Sequence, residues 1–502
     1  MKLTLIQPEG KNISDFRQAA FHILQLTKHC CQTDTDLILL PECAFPGYFI
    51  GLAPDDEWKT ELSKFSDSIG SLSAQYGKYI GIGLPYIADG HLYNSLVLYN
   101  RFGTIINTAH KSNLWHFDSQ WFEPGQNFTV IDTEFGKIGS MVCADGRIPE
   151  IARTLRLQGA RLILDSVNLV ASAMVPSQLS NQQYTFMLRE RARENRVFIA
   201  VCDKCGVEDS CVTMLGRSMI IDPFGNVIAE CGPEHEEILC CEIDLLKEYP
   251  LPERKKGEYD ILTMPTENLP VIKEIEGKFS LKELECYTAV VRFPWSSIDE
   301  YAVKAKEYVM VAQKANCRLT VLPYAQGVDL SPILKSLCDF IIPGSAVVTG
   351  YGSGQCAALY HGCTIYKSGD TLDKRIFPLF DGVNLAALFD AEMEIPENPR
   401  VCMLHGADVL IWFDSAISPS FQMVMQTRSA ENKVYCLRTT PCDQDDFSLI
   451  TGPDGSIAAT TFRCQNHVAF GMIYTALSRS KTVVPGTDII QTRIPEAYEH
   501  LI

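Results

Sequence analysis

Hydrophobic residues near the start of the chain follow two periodicities in succession. From Ser14 to Cys30 they recur at helical spacing, which predicts an amphipathic helix with Ser14 as its N-cap. The next stretch, TDLILLPECAFPGY, is apolar up to Pro41 and predicts a buried strand. Long apolar strands alternate with amphipathic helices further along the chain as well. The pattern therefore predicts an α/β fold whose sheets are covered by helices.

Several segments of the chain occur twice, in the same order. RARENRVFIAV (191–201) recurs as RSAENKVYCL (428–437), and DPFGNVIAE (222–230) recurs as GPDGSIAAT (452–460). A helix, an apolar strand and a proline near the start are also matched by a similar series ending in RLTVLPYAQG. Two copies of one α/β unit explain this order.

The join between the two copies is indicated by composition. Residues 249–284 are rich in proline and charge, which is typical of a connection between domains. We therefore predict a first domain at residues 1–262, a linker at 263–284 and a second domain at 285–502.

The stretch SMVCADGRIPEIAR contains a cysteine, Cys143, between a hydrophobic run and the start of a helix. Pro149 suits the first helical turn, Glu150 complements the helix N-terminus, and Gly159 suits the position after the helix end. Cys143 is therefore predicted to lie on a strand-to-helix turn. This geometry holds a nucleophile at the end of a sheet, near backbone N–H groups that can bind an oxyanion.

Composition and charge exclude some classes of partner. The chain has 502 residues, is 46% hydrophobic and carries a formal net charge of −17, which argues against nucleic-acid binding. It has no apolar run of the roughly 18 residues that a membrane span requires, and MKLTLIQPEG does not have the pattern of a signal peptide. Nineteen cysteines in such a chain indicate reduced thiols and a cytoplasmic protein.

A nucleophilic thiol needs a base or a cation beside it, because only the thiolate attacks carbon. None of the ten histidines lies in a recognisable Cys/His motif. Glu42, at the end of its strand, could take the thiol proton, and Lys111, in TAHKSNLWHF, could stabilise an oxyanion.

At these positions the first half, about 1–262, resembles the nitrilase superfamily of carbon–nitrogen hydrolases. The resemblance rests on six stretches in family order and spacing: LILLPECAFPGY, FGTIINTAHKSNLW, FEPGQNF, KIGSMVCADGRIPEIAR, RARENRVFIAV and LGRSMIIDPFGNVIAE. It implies a four-layer α-β-β-α sandwich in two tandem copies, and a Glu-Lys-Cys triad that needs no metal or organic cofactor.

The resemblance also implies a role for each matching residue. Glu42 matches the general base, Lys111 the lysine that stabilises the transition state, and Cys143 the nucleophile. The N–H group of Ala144 is expected to share the oxyanion with Lys111. Many members carry a second glutamate where this chain has Asp118, whose side chain is one methylene shorter. Asp118 is expected to orient Lys111 or the substrate, unless the role is lost.

Other polar residues near these motifs have structural interpretations. We expect Asp145 and Arg147 to anchor the turn through an ion pair or backbone hydrogen bonds rather than to contact substrate. The cysteines in CDKC (202–205), with Cys211 and the pair at 240–241, could suggest zinc. Zinc needs four converging ligands, so this interpretation is disfavoured.

The second half lacks the candidate catalytic residues. Aligning Pro396 with Pro149 places Asp390 opposite Cys143, and Tyr324 takes the position of Glu42. Lys374 could correspond to Lys111, but the surrounding segment is divergent. This half is therefore predicted to be a degenerate, non-catalytic copy.

Together these observations predict a cysteine-dependent hydrolase of amides or N-carbamoyl small molecules. A non-catalytic binding or scaffold protein, and an acyltransferase that uses the same acyl-enzyme, are the alternatives. The loop at 166–184 is expected to contribute to substrate choice. Because members of the family usually form dimers, we expect the two halves to pair within the chain, with further homo-oligomerisation left open.

Overall fold

In the computed structural model the chain forms two compact units. The first unit contains residues 1–253 together with 484–501, and the second contains residues 254–483 and Ile502. The structure describes residues 1–53, 56–171, 175, 178–278, 284–367, 371–379, 382–415, 419–440, 447–461 and 467–502.

The first unit has two six-stranded sheets, in the strand orders β14-β1-β2-β3-β4-β5 and β13-β12-β9-β8-β7-β6. Its strands are β1 Lys2–Gln7, β2 Leu37–Leu39, β3 Tyr79–Ala88, β4 His91–Tyr99, β5 Ile105–His110, β6 Val130–Thr133, β7 Gly136–Val142, β8 Leu162–Ser166, β9 Phe198–Cys202, β10 Val207–Glu208, β11 Val212–Thr213, β12 Met219–Ile221, β13 Val227–Glu230 and β14 Glu237–Glu242. Its helices are α1 Phe16–Cys31, α2 Glu57–Tyr76, α3 Pro149–Leu157 and α4 Leu188–Asn195.

The two sheets of the first unit pack face to face, and helices cover their outer faces. Strands β1, β3 and β4 contact β9, β8 and β7 of the other sheet. Helices α1 and α2 pack on the first sheet around buried Phe45 and Phe65, whose rings are 4.7 Å apart, and helices α3 and α4 pack on the second. This confirms the predicted α-β-β-α order of layers.

The second unit repeats this arrangement. Its sheets have the orders β20-β19-β18-β16-β15-β27, with the additional strand β17 beside β18, and β21-β22-β23-β24-β25-β26. Apart from β17, the strands of these two sheets correspond one to one with those of the two six-stranded sheets of the first unit. The strands are β15 Glu285–Arg292, β16 Leu319–Val321, β17 Ala325–Gln326, β18 Ala346–Gly352, β19 Gln355–Tyr360, β20 Cys363–Lys367, β21 Ile376–Pro378, β22 Asn384–Phe389, β23 Val409–Phe413, β24 Tyr435–Thr439, β25 Leu449–Thr451, β26 Ile457–Thr460 and β27 His467–Tyr474, followed by β28 Thr482–Val484 and, in the first unit, β29 Thr487–Asp488. The helices are α5 Pro270–Lys278, α6 Ile298–Lys314, α7 Ser331–Cys338, α8 Glu397–Leu404, α9 Phe421–Asn432 and α10 Thr475–Arg479.

The repeated segment around RARENR and RSAENK performs the same task in both units. Arg191, on α4, donates hydrogen bonds to the carbonyls of Gly146 and Arg147 at 3.0 and 3.1 Å. In the second unit Arg428, on α9, donates at the same two distances to the carbonyls that correspond to them in the chain, those of Met393 and Glu394. A buried arginine thus holds the turn after β7 and the turn after β22 in the same way.

A further repeat, Arg-x4-Tyr-x2-Leu, escaped the sequence analysis. It occurs at residues 254–262 and again at 493–501, just beyond the last sheet strand of each copy. The two segments lie in opposite units from the strands they follow, because residues 254–262 belong to the second unit and 493–501 to the first. Each copy therefore supplies its final segment to the other copy's unit.

The two Arg-x4-Tyr-x2-Leu segments make matching contacts. In the second unit, Arg254 forms an ion pair of 2.6 Å with Glu397 on α8, and Tyr259 donates a hydrogen bond of 2.9 Å to Asn398. In the first unit, Arg493 lies 3.9 Å from Glu150 on α3. Helices α3 and α8 correspond, so the repeat is a docking segment for the helix that follows each turn.

Most of the local sequence predictions hold, and one is wrong. Helix α3 begins at Pro149, and Gly159 adopts φ = +104°, as expected after a helix end. Ser14 does not cap the first helix, because a 3₁₀ turn at Ile13–Asp15 comes first and α1 begins at Phe16. Of the helices in the described ranges, none combines the length and apolarity needed to cross a membrane.

Candidate active site

Cys143 is the first residue after β7 and opens a one-turn 3₁₀ helix, Cys143–Arg147. Its backbone adopts φ = +52°, which is uncommon for a residue other than glycine. Two side chains hold this conformation: Asp165 Oδ1 accepts the Cys143 N–H at 2.8 Å, and Gln183 Nε2 donates to the Cys143 carbonyl at 2.7 Å. The turn is therefore fixed from both sides, and the thiol stays at the end of the sheet.

Asp145 anchors the turn, as predicted. Its Oδ1 accepts from the N–H groups of Ser112 and Asn113 and from the Ser112 hydroxyl at 2.8 to 3.0 Å, while Oδ2 accepts from Val142 N at 3.1 Å. One carboxylate thus ties the turn to the segment that follows Lys111, so the nucleophile and the lysine are positioned together.

Arg147 does not play the expected anchoring role through its side chain. Its guanidinium donates to Gln182 Oε1 at 2.6 Å and lies 4.9 Å from the centre of the Trp115 ring. Among the described residues it has no carboxylate partner. Burial lowers the pKa of Arg147 to about 10, while the nearby Cys143 acts in the opposite direction. Arg147 is a buried cation close to the thiol.

Lys111 is held between two carboxylates. Its Nζ lies 2.8 Å from Glu42 Oε1 and 2.7 Å from Asp118 Oδ2, and all three side chains are fully buried. Burial alone would lower the pKa of Lys111, but Asp118 and Glu42 outweigh it and raise this pKa well above its usual value. The lysine is therefore a permanent cation at neutral pH.

Asp118 reaches Lys111 despite its shorter side chain. It lies in a 3₁₀ turn, His116–Gln120, where its Oδ2 also accepts from the N–H of Trp115 at 2.9 Å. Tyr48 donates its hydroxyl to Asp118 Oδ1 at 2.6 Å. The turn brings the backbone close enough for the short aspartate side chain to contact the lysine.

The two oxygens of the Glu42 carboxylate differ in their hydrogen bonding. Oε1 accepts from Asn94 Nδ2 at 2.6 Å as well as from Lys111, whereas Oε2 is buried without a hydrogen-bond partner in the described part of the chain. Burial, and then the charge of Glu42, raise the pKa of the Cys143 thiol well above its ordinary value. The thiol is therefore protonated at rest, within electrostatic range of a carboxylate that has an unused oxygen.

Ala144 follows the nucleophile in the first turn of the 3₁₀ helix, where leading N–H groups have no acceptor within the helix. Its carbonyl accepts from Asn113 Nδ2 at 2.8 Å, which fixes the peptide. The structure thus places Glu42, Lys111, Cys143, Ala144 and Asp118 in one buried cluster.

Four polar residues of this cluster were missed by the sequence analysis: Tyr48, Asn94, Asp165 and Asn168. The Asn168 backbone carbonyl accepts from the Cys143 thiol at 3.9 Å. The Asn168 side-chain amide donates to the Glu42 backbone carbonyl at 3.0 Å. Asn94 and Asp165 are fully buried polar residues that adjoin the apolar runs of β4 and β8, and this was the signal that could have identified them.

The corresponding position in the second unit has the same backbone but different chemistry. Asp390 opens a 3₁₀ turn with φ = +47°, and Glu392 accepts the Phe389 N–H at 2.9 Å as Asp145 accepts that of Val142. Counted along the matching strand ladders, Lys111 corresponds to position 369 of the chain, which lies outside the described residues, whereas Lys374 lies in a separate 3₁₀ turn. The predicted alignment of Asp390 with Cys143 agrees with this geometry.

Aromatic rings surround Tyr324, the residue of the second unit that corresponds to Glu42. Tyr324, Phe389 and Phe413 are buried, and their ring centres lie 5.4 to 6.1 Å apart. We call this group the aromatic plug. A carboxylate at position 324 would have no charged partner in it.

The CDKC segment has a structural role. Lys204 forms a buried ion pair of 2.6 Å with Glu208 and donates to the Cys43 carbonyl at 2.9 Å, so it supports the loop after Glu42. Within the described ranges, no cluster of three or more His, Cys, Asp or Glu side chains could hold a metal ion. Residues 172–174 and 176–177 of the loop expected to influence substrate choice lie outside the described residues.

Comparisons with known proteins identify the family of this fold and site. A profile of the carbon–nitrogen hydrolase family matches residues 2–251 and 359–481. The chain therefore belongs to the carbon–nitrogen hydrolase family, and the predicted nitrilase-superfamily membership, in tandem form, is confirmed. It is an enzyme of the carbon–nitrogen hydrolase class.

Similar proteins include amidases and a nitrilase. The chain is 28% identical to the omega-amidase NIT3 of Saccharomyces cerevisiae, over 49% of this chain and 87% of the relative. It is 30% identical to a nitrilase of Pyrococcus abyssi, over 44% of this chain and 81% of the relative. An amidase from Nesterenkonia sp. with a known structure aligns with 49% of this chain and 93% of its own, at 22% identity and a TM-score of 0.43.

Proposed function

We propose that the first unit hydrolyses a small amide or N-carbamoyl compound through a thioester on Cys143. The observation that carries the proposal is the Glu42 carboxylate, which binds Lys111 with one oxygen and leaves the other free beside a buried thiol. A base, a fixed cation and a nucleophile are the groups that acyl transfer from nitrogen requires.

Acylation begins when Glu42 takes the proton from the Cys143 thiol as sulfur attacks the carbonyl carbon. The substrate's oxygen becomes an oxyanion, which is stabilised by the Lys111 ammonium and the Ala144 N–H. Asp118 holds Lys111 in place through the 2.7 Å ion pair. The carbon–nitrogen bond then breaks, and the departing nitrogen receives the proton from Glu42 and leaves as ammonia or an amine.

Deacylation uses the same groups in a second addition. Glu42 removes a proton from a water molecule, whose oxygen attacks the thioester carbon and forms a second oxyanion at Lys111 and Ala144. Collapse of this intermediate releases the carboxylic acid, and the thiolate regains its proton from Glu42. Neither step needs a metal or an organic cofactor.

The substrate class we propose is an amide that also carries a carboxylate. Arg147 is buried near Cys143 and has no carboxylate partner among the described residues, and an uncompensated buried cation favours an anionic ligand. The omega-amidase names of several relatives are compatible with this choice. Succinamic acid and N-carbamoyl-β-alanine are suitable probes, and propionamide is the matched neutral amide.

The test is a measurement of ammonia release from these probes by the full-length protein. We expect succinamic acid or N-carbamoyl-β-alanine to be hydrolysed at least about ten times more efficiently than propionamide. Cys143→Ala, Glu42→Gln and Lys111→Ala should each lower turnover by orders of magnitude, and their effects should be non-additive because the three groups act as a unit.

Cys231→Ala, which removes another buried thiol of the same unit, is the control and should retain activity. Activity that survives Cys143→Ala would refute the catalytic assignment. No ammonia release from any amide, even with folded protein, would favour a binding role. Formation of an amide or hydroxamate from an added amine in preference to the acid would show acyl transfer instead of hydrolysis.

A further inference from the structure

Residues 484–501, which we call the closing segment, contact the turn that carries Asp118. The Thr487 hydroxyl accepts a hydrogen bond from His116 N at 2.8 Å and donates one to the Leu114 carbonyl at 2.8 Å. Thr487 is almost completely buried. One hydroxyl therefore bridges the two backbone groups on either side of Trp115.

The neighbouring Gly486 permits this close approach. Its φ is +85°, and a Cβ atom at this position would lie 2.7 Å from the His116 carbonyl oxygen. Any larger residue would push the closing segment away from the turn. The chain therefore brings Thr487 to the turn through a backbone position that only glycine fits.

The turn that Thr487 contacts has a backbone conformation that needs support from outside the turn. His116 has φ = +52°, an uncommon conformation for a residue with a side chain, and the adjacent Trp115 N–H binds Asp118 Oδ2. The same Asp118 oxygen lies 2.7 Å from Lys111 Nζ. A shift of this turn would therefore be transmitted directly to the lysine through a short aspartate side chain.

We propose that Thr487, in the closing segment, is a positioning residue for Asp118 and Lys111 in the reaction. The bridge from Thr487 fixes the turn, the turn fixes Asp118, and Asp118 fixes the ammonium group that receives the oxyanion. The inference rests on the proposed catalytic function of Lys111. It gives the segment that follows the degenerate copy a part in catalysis by the intact copy.

Thr487→Val tests this proposal, since it keeps the shape of the side chain and removes both hydrogen bonds. We expect kcat to fall about 10- to 100-fold with little change in KM, because a misplaced lysine weakens binding of the transition state more than binding of the substrate. Thr487→Ser, which retains the hydroxyl, should recover most of the activity.

Thr492→Val is the matched control. Thr492 lies in the same segment, and among the described residues its hydroxyl bonds to the Asp488 carbonyl alone, at 2.7 Å, so its loss should leave kcat unchanged. Thermal melting of each variant shows whether the fold is intact. A Thr487→Val protein that is folded and has wild-type kcat would overturn the inference.

A double-mutant cycle with Asp118→Asn separates this inference from the proposed function. If Thr487 acts through Asp118, Thr487→Val should cause almost no further loss in the Asp118→Asn background. Fully additive losses would show that Thr487 acts by another route and would refute the inference. If Asp118→Asn itself has no effect on kcat, the role proposed for Asp118 fails, and this inference fails with it.

Discussion

At the residue scale, the positions of Glu42, Lys111 and Cys143 were predictable because each lies where a strand ends. Apolar runs mark the strand ends in the sequence, and the resemblance to family motifs singled out these three residues. Their convergence was not predictable from adjacent strands, because β2 and β5 belong to one sheet and β7 to the other. The supporting residues were harder to predict. Asn94, Asn168 and Tyr48 lie on separate segments, and only the folded chain shows that their polar atoms converge on Glu42 and Asp118.

The burial of Cys143 and its proximity to Glu42 lead to a prediction about thiol reactivity. The Glu42 charge raises the thiol pKa, so Glu42→Gln should lower this pKa and increase the thiolate fraction at any pH below it. Alkylation of Cys143 by iodoacetamide should then become faster at pH 8, although turnover is lost. Peptide mass spectrometry across a pH series would give the apparent pKa.

Glu208→Gln is the control for this measurement. It removes another buried carboxylate of the same unit, one that pairs with Lys204 and accepts the Tyr48 N–H, and that among the described residues makes no contact with Cys143, Glu42 or Lys111. Its alkylation profile at Cys143 should match that of the wild type. An unchanged or higher apparent pKa in Glu42→Gln would contradict the electrostatic account of the site.

At the element scale, both units keep the same turn, which follows β7 in the first unit and β22 in the second. Arg191 and Arg428 hold it, and Asp145 and Glu392 close it, whether or not a nucleophile is present. The repeat of RARENR was visible in the sequence, but its purpose was not. Hydrogen bonds from an arginine to carbonyls far away in the chain leave no local pattern.

The aromatic plug predicts that the second unit cannot be converted into an enzyme by restoring two residues. Tyr324→Glu combined with Asp390→Cys, in a Cys143→Ala background, should show no amide hydrolysis. The new carboxylate would be buried among rings, and Arg375, which lies 5.7 Å from the centre of the Phe389 ring, already pairs with Glu392. We therefore expect the substitution to destabilise the unit by about 3–5 kcal/mol. Ammonia-release assays and thermal melting would measure both effects.

Tyr324→Phe provides the comparison for the stability measurement. It keeps the ring and removes the hydroxyl, which donates a 3.2 Å hydrogen bond to the Gly352 carbonyl and also interacts with the Gly354 backbone, so it should cost about 1 kcal/mol. Measurable hydrolysis by the double substitution would show that the plug does not prevent catalysis.

At the scale of the whole molecule, the segments that recur in the same order were sufficient to predict two tandem copies. It did not show that the final segments are exchanged between units, because a docking segment of nine residues has no periodicity of its own. The first unit therefore stops at residue 253 and resumes at residue 484. We propose that the two units pair within the chain.

The exchange predicts the behaviour of truncated proteins. Residues 1–262 expressed alone lack the closing segment and should aggregate, self-associate or retain only weak activity. Residues 1–253 joined to 484–502 by a flexible linker should be more soluble and more active. Size-exclusion chromatography and kcat would compare the two, and a stable, fully active monomer of 1–262 would refute the prediction.

The crossed docking segments also bear on inheritance. A duplicated gene usually leaves each copy free to be lost, because each encodes a complete product. Here a deletion of either half would remove an essential part of the half that remains. We therefore expect selection on the first copy to preserve the second copy as well, whether or not the second copy has an activity of its own.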